Sequence, residues 1–114
     1  MPKKPSDQDV LAFWFTETSP EFWFKKDPAF DARIAHQFAG TVKDAVAGKY
    51  DHWANDSAGC LALILLLDQF TRNIFRDSAR AFSGDEMALA LSLRCVEREY
   101  IAHPDENWRR FMLM

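Results

Sequence analysis

Five polar side chains near the middle of the chain are the residues best suited to chemistry. Asp68, Arg72 and Arg76 follow one another at intervals of four, so on a continuous helix they lie along one face. Gln69 and Asn73 form a second row beside them. Two arginines in this arrangement can bind a planar carboxylate or phosphate through their forks of donors, with Asp68 orienting Arg72 and Asn73 adding an amide. The five residues are therefore a candidate anion-binding site.

The same polar cluster has two other interpretations. In the first, Asp68 pairs with Arg72 while Gln69 and Asn73 hydrogen-bond loop backbone, so that the cluster fastens the fold. Losing one partner of such a buried pair typically costs about 3–5 kcal/mol, which is enough to unfold a small domain. In the second, the side chains are ordinary solvated charges. We expect Arg76 to be the least enclosed member of the row.

The segment before the cluster must position it. Residues 61–67 are seven apolar residues in succession, which leave no polar face and predict a helix enclosed on nearly every side. Ser57 is a suitable cap for this helix, and the helix is expected to end between residues 70 and 75. The apolar run is too short to cross a bilayer.

Two earlier segments carry helix start signals. Ser6, with Asp9 three residues later, predicts the beginning of a first helix. Asp27 followed by Pro28 predicts the beginning of a second helix, in which apolar residues recur at helical spacing. Gly48 stands where this second helix is expected to end.

The second half of the chain is also predicted to be helical. Ser83 and Glu86 have the spacing of a capping box and predict a long helix that reaches residue 100. Residues 106–114 predict a last helical piece. No window alternates with a period of two for long enough to predict a strand. We therefore expect an all-α fold of antiparallel helical hairpins, with residues 1–114 in a single domain.

The end of the chain is amphipathic and has neither a cap nor a polar tail. Phe111 and its neighbours in residues 108–114 need an apolar cover that we do not expect this chain to supply. Either a C-terminal part is absent, or a second copy packs against this segment. A homo-oligomer formed through the C-terminal apolar segment is therefore one expected partner.

Aromatic residues make up 14% of the chain, with ten Phe and four Trp, so a small core can be built from few side chains. Trp14 and Trp23 are most simply members of that core. The alternative is a groove between the first helix and the short turn after it, lined by these two rings. Such a groove would accept a peptide helix or a flat ligand.

Composition excludes several functions. A net charge of −3 and a pI near 5.5 argue against nucleic-acid binding, which normally needs a basic face. The first residues lack the long apolar run of a signal peptide, and no segment predicts a membrane partner. We therefore expect a cytoplasmic location.

Cysteine and histidine usage suggests no cofactor. Cys60 and Cys95 fall in apolar helical stretches and are expected to be buried free thiols, with a disulfide between two helices as the alternative. His36, His52 and His103 lack the spacing of metal ligands, and the glycines are too scattered for a phosphate-binding loop. Neither a metal nor a cofactor is predicted.

Several stretches together resemble the DUF924 family of bacterial-type proteins of unknown function. The similarity spans about residues 10–111, and its most distinctive part is residues 61–70 with residues 72–76. The resemblance implies an all-α fold similar to tetratricopeptide-like helical arrays. It implies no activity, because none is established for the family as a whole. Other stretches that carry the resemblance are Val10-Leu11-Ala12-Phe13-Trp14-Phe15, Phe30-Asp31, Ala81-Phe82, Asp85 and Ala88-Leu89.

The chain departs from the family pattern in two respects. Thr71 stands where the family usually has proline, which is expected to loosen the turn that ends the helix. Family members normally continue through a further segment containing His, Ser and Glu, which is not found in this chain. A site completed by that segment would be missing here.

These features favour a helical module that binds a protein or peptide, since helical arrays present grooves to partners. The competing hypothesis is a small-molecule or anion-binding protein, or an enzyme, that uses Asp68, Arg72, Asn73 and Arg76. The first predicts an exposed groove and the second a closed pocket where arginines converge. A third hypothesis, a self-associating structural subunit, predicts a large two-fold interface.

Overall fold

The computed structural model describes residues 5–23, 25–76, 78–102 and 105–113. Within these ranges the secondary structure is helical with no strand, so the all-α prediction is confirmed. The finer prediction, a tetratricopeptide-like array of hairpins, stays a prediction. The α-helices are α1 (Asp7–Leu11), α2 (Pro28–Val46), α3 (Ser57–Ile64), α4 (Thr71–Ile74), α5 (Asp85–Glu97) and α6 (Glu106–Met112).

Two π-helical segments extend these helices. Ala12–Glu17 continues α1, and Leu65–Phe70 joins α3 to α4, so the central rod runs without a break over residues 57–74. Thr71 does not loosen this rod: its hydroxyl donates to the carbonyl oxygen of Leu67 at 3.0 Å and that of Asp68 at 3.2 Å. Short 3₁₀ helices occupy Pro20–Phe22, Asp51–Asn55, Ala79–Phe82 and Tyr100–Ala102.

The caps of α1 and α2 confirm the sequence signals. The Ser6 hydroxyl oxygen accepts a hydrogen bond of 3.3 Å from the backbone amide of Asp9. The Asp9 carboxylate accepts one of 2.8 Å from the backbone amide of Ser6, and the two bonds form a capping box. Asp27 accepts from two amides of the first turn of α2, and Pro28 is its first residue. Gly48 follows α2 with a φ of 85°, a left-handed conformation that favours glycine.

Two predicted caps were wrong. Asp56 caps α3, accepting from the Gly59 amide at 2.7 Å, whereas Ser57 is already the first helical residue. The N-cap of α5 is Gly84, and no capping box forms there; the Ser83 hydroxyl donates instead to a carbonyl of the preceding turn. A Cβ at Gly84 would lie 2.4 Å from the carbonyl oxygen of Leu67, so close packing on the central rod selects glycine.

The central rod is enclosed as its composition predicts. All seven side chains of residues 61–67 are at most 1% exposed. Helices α1, α5 and α6 contact α3. Helix α2 contacts α4 and the π-helical segment Leu65–Phe70 of the rod. None of the helices that the structure describes combines the length and apolarity needed to cross a membrane.

The chain covers most of its own C-terminal helix, contrary to the sequence expectation. Phe111 and Met112 are buried, and the Phe111 ring lies 5.1 Å from Trp23 and 5.6 Å from Trp14 between ring centroids. Leu113 remains 57% exposed. The expectation failed because apolar residues far apart in sequence supply the cover. Residue 114 lies outside the described residues.

Candidate functional site

Arg72 joins the end of the central rod to the start of α5. One guanidinium nitrogen donates to both the side chain and the backbone carbonyl of Asp68. The other lies 3.2 Å and 3.3 Å from the two carboxylate oxygens of Asp85. Gln69 donates to Asp68 at 2.8 Å rather than to loop backbone, so that part of the prediction was wrong. We call Asp68, Gln69, Arg72 and Asp85 the Asp85 cluster.

Arg76 and Asn73 turn to the opposite neighbour, α2. Arg76 donates to the two carboxylate oxygens of Asp31 at 2.7 Å and 3.1 Å. Asn73, expected to bond loop backbone, donates to Asp31 at 2.8 Å. We call these three residues the Asp31 cluster. The predicted row of Asp68, Arg72 and Arg76 is thus split between two partners, because Arg72 binds Asp85 of α5 and Arg76 binds Asp31 of α2.

The two clusters differ in exposure. The Arg76 side chain is 32% exposed and that of Arg72 is 40% exposed, so the expectation that Arg76 is the least enclosed was wrong. Asp31 is more enclosed than either arginine, at 14%. Arg76 therefore pairs with a mostly enclosed carboxylate, whereas Asp85, the partner of Arg72 on α5, is 42% exposed.

The electrostatics of Asp31 favour its charged form. Partial burial raises the pKa of the carboxyl, but hydrogen bonds from Arg76 and Asn73 and the charges of Arg76 and Lys26 lower it by more. The net result is a pKa below the ordinary value. The carboxylate therefore stays ionised and paired at neutral pH.

This geometry favours fastening of the fold over an anion clamp. Arg72 and Arg76 point to different carboxylates, and each uses its fork of donors on protein oxygens. The partners that decide this are Asp31 and Asp85, neither of which is among the candidate site residues predicted from the sequence. Both belong to the stretches that carry the family resemblance, and that was the signal that could have found them.

The structure places the two candidate tryptophans in the core. Trp14 is fully buried and stacks on Trp23, with 6.2 Å between ring centroids. Trp23 donates from Nε1 to the Trp14 carbonyl at 2.9 Å. Phe111 closes the space beside both rings. The arrangement is that of a core, and within the described residues the Trp14 Nε1 has no hydrogen-bond partner.

An apolar surface that the sequence reasoning did not single out lies on α5. Leu89, Leu93 and Val96 are 62%, 56% and 48% exposed, and their spacing of four and three residues places them along one helix face. Leu113, which directly follows α6, extends this surface, since it lines the same cleft of about 220 Å³ as Leu89. We call these four residues the α5 surface.

The α5 surface borders the Asp85 cluster. Asp68, Arg72 and Asp85 line the same cleft. The exposed ring of Phe82 lies beside it, with the Arg72 guanidinium carbon 5.6 Å from the ring centroid. An elongated apolar strip with charged side chains at one end is therefore open to solvent.

The structure also locates the residues considered for metals and disulfides. Cys60 and Cys95 are buried free thiols, as predicted. Among the described residues, no three His, Cys, Asp or Glu side chains are grouped so that they could hold a metal ion. His36 and His52 are exposed, and His103 lies outside the described residues.

Comparison with known proteins identifies the family. The family model described as "Bacterial protein of unknown function (DUF924)" matches residues 10–114. The chain belongs to the DUF924 family. No curated protein matches it.

A solved structure of similar fold supports the helical architecture. The protein of unknown function ATU0120 from Agrobacterium tumefaciens is 33% identical to this chain and superposes with a TM-score of 0.87. The match covers 93% of this chain and 60% of the Agrobacterium protein. This DUF924 chain therefore spans 60% of the length of that relative.

Proposed function

We propose that this DUF924 chain binds a basic amphipathic helix of a partner protein along the α5 surface. The observation that carries the proposal is the row of exposed Leu89, Leu93 and Val96. Anchors at i, i+4 and i+7 are the pattern by which one helix packs on another, and this row extends over about 10 Å of helix. The cleft beside Leu113 offers room for one further apolar side chain.

Charge around the α5 surface favours a basic partner. Glu86 and Glu97 are exposed on the same face of α5, one near each end. Asp68 and Asp85 line the adjoining cleft, and a single arginine, Arg72, is shared between them. The rim is therefore net acidic, and lysine or arginine beside the anchors of a partner helix would meet carboxylates.

The same charges disfavour a second copy on this surface. Antiparallel pairing of two α5 helices through Leu89, Leu93 and Val96 would place Glu86 of one copy close to Glu97 of the other. Like charges in an interface oppose association. A basic helix makes the same apolar contacts without this repulsion.

Fluorescence anisotropy with designed peptides tests the proposal. The probes are a fluorescein-labelled Leu/Lys amphipathic helix of about 18 residues, its Leu/Glu counterpart, and a scrambled Leu/Lys sequence. We expect saturable binding of the Leu/Lys helix and at least about tenfold weaker binding of the other two. The double variant Leu89→Gln with Leu93→Gln should weaken binding by about tenfold or more, because it removes two anchors.

Ala39→Gln on the exposed face of α2 is the matched control and should leave affinity unchanged. Equal binding of the Leu/Glu helix would contradict the basic partner. Unchanged affinity of the double variant would contradict the α5 surface. Concentration-dependent dimerisation, abolished by the double variant and without peptide binding, would assign the surface to a second copy instead.

We propose a cytoplasmic protein that acts without nucleic acid or a membrane. Residues 1–114 are proposed to form a single domain. Oligomerisation through the C-terminal segment would involve Leu113, because Phe111 and Met112 are already buried.

A further inference from the structure

The two cysteines of the chain face each other across the contact between α3 and α5. Their Sγ atoms are 3.5 Å apart, although 35 residues separate them in sequence. A disulfide bond is about 2.05 Å long, so the sulfur atoms need to approach by about 1.5 Å. The chain contains no third cysteine, so this dithiol has no competing thiol.

A cleft reaches the neighbours of both sulfur atoms. It has a volume of about 210 Å³ and is lined in part by Leu91 and Arg94. The Leu91 carbonyl lies 3.7 Å from the Cys60 Sγ, and Arg94 precedes Cys95 in α5. Arg94 Nε is buried and has no hydrogen-bond partner within the described residues, which leaves a donor for a small polar molecule.

The two thiols are chemically unequal. The hydrogen bond with Cys95 lowers the pKa of Cys60, burial opposes this, and the charges of Arg94 and Arg98 also lower it. The hydrogen bond with Cys60 and burial both raise the pKa of Cys95. Cys60 is therefore the sulfur better suited to nucleophilic attack.

We propose that Cys60 and Cys95 form a modification site, oxidised to a reversible disulfide by a small hydroperoxide such as hydrogen peroxide. The Cys60 thiolate attacks one peroxide oxygen, the O–O bond breaks, and the released hydroxide takes up a proton to leave as water. Cys95 then attacks the sulfur of the sulfenic acid, and a second water leaves. Two thiols are oxidised, and one peroxide is reduced to two waters.

The product would tie α5 to the central rod. Asp85 and three of the four residues of the α5 surface are on this helix, so the disulfide restrains the element that carries them. Closing a loop of this length reduces the entropy of the unfolded chain, and an increase in Tm of roughly 10 °C or more is expected. This inference does not depend on the proposed partner helix.

The test compares peroxide oxidation of the folded wild-type protein with oxidation of the protein unfolded in guanidinium chloride. After the reaction, excess peroxide is removed, the protein is denatured, and free thiols are counted by N-ethylmaleimide labelling and peptide mass mapping. We expect the folded protein to lose both labels and yield a Cys60–Cys95 crosslinked peptide, to show the higher Tm, and to regain both labels with dithiothreitol. Cys95→Ser should give a Cys60 sulfenic acid, trapped by dimedone, and no crosslinked peptide.

Two results would overturn the proposal. In one, the folded protein keeps both thiols under peroxide while the unfolded protein forms the disulfide. In the other, the folded protein forms disulfides only between molecules. Each result would show that the buried sulfur atoms cannot be joined within the native packing.

Discussion

Arg76 holds Asp31 by a two-point contact, with Nε 2.7 Å from one carboxylate oxygen and Nη2 3.1 Å from the other. The contact joins the end of the central rod to the flank of α2. Asn73 adds a third hydrogen bond to the same carboxylate. One acidic residue of α2 therefore accepts three hydrogen bonds from the segment at the end of the rod.

Replacing Asp31 should destabilise the fold. Asp31→Asn leaves Arg76 without its counter-charge, and we expect the free energy of unfolding to fall by about 2 kcal/mol, as for a partly buried charged hydrogen bond. Urea denaturation at neutral pH measures this. Glu17→Gln is the control, because its ion pair with Arg33 is long, 3.9 Å, and exposed; its effect should stay within about 0.5 kcal/mol. Equal effects of the two substitutions would show that Asp31 is not a fastening residue.

The Asp31 cluster should also make stability depend on pH. The folded-state pKa of Asp31 is lowered, so its contribution is fully present above the unfolded-state pKa and is lost as pH falls through the folded-state pKa. The difference in free energy of unfolding between the wild type and Asp31→Asn should therefore be constant from about pH 6 to 8 and shrink below about pH 4. Urea titrations of both proteins at pH 7 and pH 3 provide the comparison. A difference that stays the same at both pH values would contradict the pairing.

Substitution by alanine should change the stability of the protein in opposite directions at two glycines. A Cβ at Gly59 would lie 2.0 Å from the backbone oxygen of Trp53, so Gly59→Ala must displace backbone and should cost about 3 kcal/mol or more. A Cβ at Gly40, within α2, meets nothing within 4 Å. Gly40→Ala should therefore stabilise the protein by about 0.5–1 kcal/mol through helix propensity. Thermal unfolding of the two variants beside the wild type checks both signs, and a stable Gly59→Ala protein would show that α3 does not approach Trp53 so closely.

Local signals in the sequence were enough to predict the helical framework. The cap side chains of Ser6 and Asp27 bond backbone amides that lie no more than three residues further along the chain. The enclosure of residues 61–67 follows from the absence of any polar residue in that run. Such features need no knowledge of distant residues. For this reason the all-α fold and the buried rod could be predicted.

Features that depend on distant residues could not be predicted in the same way. Asp31 and Arg76 are 45 residues apart, and nothing local marks them as partners. Gly84 replaces the expected cap because of its contact with Leu67, and Phe111 is covered by aromatic rings from the opposite end of the chain. The exposed row on α5 could not be predicted either, since a helical stripe of apolar residues gives no indication of which neighbour covers it.

Methyl NMR of leucine-labelled protein, titrated with the Leu/Lys helix, tests the proposed function most directly. Leu89, Leu93 and Leu113 should show saturable chemical-shift changes, because their methyl groups are exposed on the α5 surface. The buried leucines of residues 61–67 should shift little and serve as the internal control. Shifts confined to other leucines, or no saturable shift at Leu89 and Leu93, would contradict the proposal that α5 receives a partner helix.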